Sequence, residues 1–177
     1  MSYGILLLRV VLGGSMAAHG SQKLFGVWSG PGLRGVHGWL ASMRFRGGWA
    51  PVAGLVLAEF GGGVALALGL LTPLAAALII SAMVVAIVTV HWKNGFWISG
   101  GGYEYNLLII AGAAALAATG GARFSLDNAL GIADNISGLW WGVGALGAGG
   151  LAALAMVTVG RRPEPAADQP ADRLQTA

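Results

Sequence analysis

The stretch VTVHWKNGFWISGGGYEYNLL, Val88 to Leu108, sets His91, Lys93, Asn94, Glu104 and Asn106 among Trp92, Phe96, Trp97, Tyr103 and Tyr105. An imidazole and a carboxylate held together can exchange protons and hydrogen bonds with the oxygens of a bound molecule. Upstream lie three more such groups, His19, Lys23 and Glu59. His19 and Lys23 are four residues apart and so share one face of a helix. The candidate ligand-binding residues are therefore His19, Lys23, Glu59, His91, Asn94, Glu104, Tyr105 and Asn106; no catalytic residue is singled out.

The elements that must position these groups are apolar. Hydrophobic residues make up 56% of the 177-residue chain and charged residues 10%, with a mean hydropathy of +0.72. That is too little charge to cover a soluble surface of this size, and the composition predicts an all-α polytopic membrane protein. With about 20 apolar residues needed per spanning helix, the chain has room for four or five spans in one domain. Its 31 glycines suit the close approach of helices in lipid.

Tyr3 to about Phe25 reads as an uncleaved first helix, because no basic segment precedes it and Arg9 interrupts the apolar run. Arg9 lies roughly 9 Å along the helix from Tyr3 and is expected to snorkel to the near interface. Gly30, Pro31, Gly32 and Gly48 bracket a segment with Leu33, Val36, Leu40 and Met43 at helical spacing, which predicts a short amphipathic helix in the interface. Pro51 to Leu71 is a second span. It carries Glu59 roughly 12 Å from its start, with Gly62, Gly63 and Leu66 continuing that face, so that a neighbouring backbone can come close. Thr72 as cap and Pro73 at the first helical position then start span three, Pro73 to about Trp92, leaving an antiparallel hairpin with almost no loop.

Span four runs from about Glu104 to Ala118, and Ser125 is placed to cap a second short interfacial helix. Leu139 to Gly160 is a fifth run long enough to cross, expected to pack peripherally on a core made by the other four. The tail PEPAADQPADRLQTA has too little apolar surface to fold. The expected division is a membrane domain over 1–162, with a core over 1–138 and an extra helix over 139–160, followed by a disordered tail over 163–177.

Alternating spans carry Lys23, Arg34, Arg44, Arg46, Lys93, Arg161, Arg162 and Arg173 to one side, and Arg9 and Arg123 on or towards the other. The positive-inside rule then puts the amino terminus outside, and loops one and three with the tail in the cytoplasm, for a multi-pass protein of the plasma membrane. Basic loops facing anionic lipid account for the net charge of +3, so nucleic acid is not expected as a partner. The same alternation brings His19, Glu59, His91 and Glu104 into one half of the bilayer, and convergence on Glu59 is expected.

The chain has no cysteine, which removes disulfide redox centres and cysteine-held iron–sulfur clusters. The Glu-x-x-His pairs of di-iron bundles are absent, since Gly62 and Leu107 stand third after Glu59 and Glu104, and no metal is assigned. Gly100 to Gly102 is not a dinucleotide fingerprint, because no strand precedes it. Each polar group also has a purely structural use: Glu59 paired with Lys23, His91 on a carbonyl, Glu104 as a first-turn acid, the aromatics as an interfacial belt. Three functions stay open. The cluster binds a quinone, or the basic loops make a scaffold that recruits soluble enzymes, or the chain transports a small solute, a reading weakened by fewer than six spans and no evident repeat.

In their order and spacing, HGSQKLFG at His19 to Gly26, EFGGGVALALGLLTPLAA at Glu59 to Ala76, VHWKNGFW at Val90 to Trp97, GGYEYNLL at Gly101 to Leu108 and FSLDN at Phe124 to Asn128 resemble the DoxX family of small integral membrane proteins. The resemblance implies a bacterial membrane protein of four spans, so the fifth run is a departure. It also implies the membrane part of an oxidoreductase complex that includes a superoxide dismutase and a sulfurtransferase-like protein, active in oxidative stress. Relatives form part of a thiosulfate:quinone oxidoreductase, which supports a quinone as ligand. Catalysis by this chain alone is not implied.

Overall fold

In lipid every peptide N–H and C=O must be satisfied inside the protein, and a helix does this locally at each residue. The computed structural model describes residues 2–46 and 48–162, in which the apolar runs form α1 (Ser2–Phe25), α2 (Gly32–Ser42), α3 (Trp49–Leu68), α4 (Thr72–Asn94), α5 (Glu104–Thr119), α6 (Leu126–Ala129) and α7 (Leu139–Thr158). Among the described residues there is no strand, only an isolated antiparallel bridge between Phe45 and Arg161. The tail expected to be disordered, 163–177, lies outside the described residues, and Arg173 with it.

Four helices, α1, α3, α4 and α7, are long and apolar enough to cross a bilayer. The expected span four, α5, is the short one: its 16 residues reach only about 24 Å at ~1.5 Å per residue. Helix α4 forms the centre. Its Ala75, Ala76, Ile79, Ile80, Ala82 and Met83 are buried against α3, α5 and α7. Helix α7 flanks α4 and α5 on one side, with Trp140, Leu151 and Leu154 exposed and Ala145, Gly149 and Ala153 buried. It is closely held there: a Cβ on Gly149 would come within 2.8 Å of the Ala77 carbonyl. Its far end is tied to the segment before α3 by Arg46 N–H to Gly160 O (2.6 Å) and Arg162 N–H to Arg44 O (2.9 Å).

Helix α2 buries Val36 and Leu40 against Phe45 and Val52, with Met43, Leu55, Val85 and Met156 around them. It therefore lies on the end of the bundle rather than in lipid alone, and of its expected apolar face Leu33 remains exposed.

Two expectations are corrected at the opposite end. Thr72 does not cap α4. The cap is Asp127, whose carboxylate accepts from Leu71 N (2.6 Å), Thr72 N (3.0 Å) and the Thr72 hydroxyl (2.6 Å), so the side chain expected to accept donates instead. Arg9 does not snorkel. It is 1% exposed, and its guanidinium donates to the carbonyls of Ala67, Gly121 and Phe124. These carbonyls sit where α3 and α5 run out and lack helical partners, so a buried cation is satisfied by oxygens that would otherwise be orphaned. Ser125 caps α6 as expected, accepting from Asn128 N at 3.1 Å.

Candidate functional site

Two spans leave α geometry where they carry candidate groups. Leu57–Gly61 in α3 and Ile87–His91 in α4 are π-helical turns; Glu59 is the middle residue of the first and His91 the last of the second. A π turn adds a residue to the winding and re-aims the side chains on it, and such turns concentrate at functional sites.

Glu59 is 4% exposed, and its Oε2 accepts a hydrogen bond from the Lys23 ammonium on α1. The pair depends on helices that touch backbone to backbone. A Cβ on Gly20 would lie 2.3 Å from Phe60 N, and one on Gly63 would lie 2.4 Å from Ala17 N. Glycine is what brings α1 near enough for a four-carbon lysine stem to reach into α3.

The ion pair borders a partly open cavity of 340 Å³. Its polar wall is His19 and Lys23 from α1, Glu59 from α3, His91 from α4, and Tyr105 and Asn106 from α5. Asn106 is buried and donates to Met83 Sδ at 3.4 Å; Tyr105 and His19 are largely exposed and lie at the rim. His91 Nδ1 is 2.7 Å from the Gly101 carbonyl. The apolar wall includes Leu40, Leu55, Ala82 and Ile109, together with Met16, Met43, Met83 and Met156.

Asn94 and Glu104 are not among the residues that line this cavity. Both are used in the α4–α5 loop: Asn94 Nδ2 donates to Gly101 O (3.1 Å), and Glu104 Oε2 accepts from Ile98 N (3.0 Å). The peptide groups of a turn-rich loop need partners, and these side chains supply them. Trp92 stacks on Tyr103 with ring centroids 5.5 Å apart, while Trp92 and Trp97 stay exposed. The loop is thus a braced platform that holds Gly101 O against His91.

The sequence reading missed the methionines. Four of the chain's five line the cavity, from positions 16, 43, 83 and 156, and no local spacing links them. It also missed Asp127, whose partners lie 55 and 56 residues upstream. Among the described residues no group of three or more His, Asp or Glu side chains is placed to hold a metal ion.

Fold and site together define a polytopic helical membrane protein with a partly open cavity headed by an ion pair. The family model for DoxX matches residues 4–92, half of the chain, and the chain belongs to the DoxX family. The match includes His19, Lys23, Glu59 and His91 and ends before Tyr105 and Asn106. No curated protein and no solved structure matches the chain.

Proposed function

We propose that this protein is the membrane subunit of an oxidoreductase system of the plasma membrane, and that its cavity binds a quinone. The cavity carries the proposal. Its 340 Å³ falls in the range of small-molecule sites, about 300–1,000 Å³, and it pairs a mostly apolar wall with a few convergent polar groups. Thioether side chains adapt to irregular ligands and make favourable contacts with aromatic rings, which suits a ring at the methionine wall. Lys23, Tyr105 and His91 offer hydrogen-bonding partners to ring oxygens. The family relation to quinone-linked enzymes supplies the ligand class. Because the chain has no cysteine, the electrons come from a partner or another cofactor, and soluble superoxide dismutase and sulfurtransferase-like proteins are the proposed partners.

One observation favours the scaffold reading beside it. Arg34 on α2, Arg44 and Arg46 in the segment before α3, Lys93 in the last turn of α4 and Arg162 just past α7 are basic and lie at a single end of the bundle. We take this end as cytoplasmic and as the surface on which soluble partners dock. Purification in mild detergent, followed by solvent extraction and mass spectrometry of lipids and proteins, tests both. Quinone near one per chain, depleted in Glu59→Gln, supports the cavity reading. Quinone at the background level of the extract overturns it, and co-purified soluble enzymes without quinone leave the scaffold.

A further inference from the structure

We infer that the cavity selects the hydroxyl-bearing, hydroquinol form of its ligand over the carbonyl-bearing form, with His91 Nε2 accepting the ligand hydroxyl. This rests on the reading that the cavity takes a quinone-type molecule.

A carbonyl oxygen only accepts, so the 2.7 Å contact between His91 Nδ1 and Gly101 O requires the proton to be on Nδ1. In the neutral ring this leaves a lone pair at Nε2. The tautomer is held from outside the cavity, because Gly101 O is fixed by the loop: Asn94 donates to it, and Tyr103 N–Gly95 O (3.2 Å) and Glu104 N–Phe96 O (2.9 Å) close the loop around it. Among the described residues Nε2 has no protein partner, and no buried side-chain nitrogen or oxygen lacks one. Nε2 is therefore open, on a residue that lines the cavity.

The same accounting applies to two neighbours. Glu59 engages Lys23 through Oε2, which leaves Oε1, and Asn106 donates through Nδ2 to Met83, which leaves Oδ1. Three residues of one cavity wall thus present acceptors that no described protein donor meets. A quinone, whose oxygens only accept, can draw on the Lys23 and Tyr105 donors but leaves these three acceptors desolvated without partners. A hydroquinol brings two O–H donors to them. An unmet acceptor costs more than a formed hydrogen bond gains, and this asymmetry sets the selectivity.

The test is calorimetric titration of the detergent-solubilised full chain with three probes: a short-tailed benzoquinone, its hydroquinone under anaerobic conditions, and the dimethyl ether of that hydroquinone, which has a similar shape and no donor. The hydroquinone is expected to bind about tenfold tighter than either of the others, the scale of one hydrogen bond. His91→Gln and Asn106→Leu, each checked for an intact melting transition, should bring the ratio towards one. If His91→Gln does not fold, Asn106→Leu and the ether comparison decide. Equal binding of all three, or tighter binding of the quinone, overturns the inference and leaves the cavity a quinone site. Binding of none of the three overturns both.

Discussion

Lys23 and Glu59 show how an ion pair inside a membrane protein is kept affordable. The carboxylate is nearly sealed, while the lysine side chain stays 24% exposed, so only one of the two charges is fully withdrawn from solvent. Glu59→Gln should therefore destabilise by about 1–3 kcal/mol rather than by the larger cost of stranding a buried charge, because Lys23 can relax outward. Adding Lys23→Met should recover part of that loss, read as a higher melting temperature for the double variant than for Glu59→Gln alone. Arg9 has no such escape. Arg9→Met removes the donors to three carbonyls at once and should cost about 3 kcal/mol or more, seen as a large drop in melting temperature. Residues of this kind were legible in the sequence because ionisable groups stand out in apolar runs. Their partners were less so: the Lys23–Glu59 pair could be named as one option, whereas the oxygens that satisfy Arg9 belong to the backbone and carry no mark of residue type.

At the scale of elements, glycine decides which helices touch. Gly20→Val pushes a side chain into the α3 backbone, while Gly14→Val, with nothing within 4 Å of its added Cβ, makes the same change of residue type in open space. The first should be destabilising by about 1–3 kcal/mol beyond the second, since the helix-propensity term is common to both. Equal melting temperatures would contradict the close α1–α3 contact. The helices themselves were readable from hydropathy, and the α3–α4 hairpin from Thr72 and Pro73, although the cap proved to be Asp127. The π turns at Glu59 and His91 were not readable, because an extra residue in a turn reflects packing against neighbouring helices and has no local signature. Nor was the use of Glu104: at a helix start it looks like a first-turn acid facing the bundle, and only the folded loop shows it turned back to Ile98 N.

For the whole molecule, the alternation of spans fixes which loops share a side but not which side that is. With the basic end taken as cytoplasmic, single cysteines at the exposed Ser42 and Ser99, introduced into this cysteine-free chain, should resist an impermeant thiol reagent in intact cells and react after permeabilisation. Labelling of both from outside would invert the orientation. The central claim is that the Lys23–Glu59 cavity, rather than the lipid-facing surface or the Arg9–Asp127 end, is where a ligand binds. Titrating a short-tailed hydroquinone under anaerobic conditions into wild type, Glu59→Gln and Asp127→Asn at fixed detergent tests it most directly. The account predicts saturable binding at one site per chain, weakened about 5- to 100-fold by Glu59→Gln, equivalent to 1–3 kcal/mol, and unchanged by Asp127→Asn. Non-saturable partitioning, or equal affinity in wild type and Glu59→Gln, would contradict it.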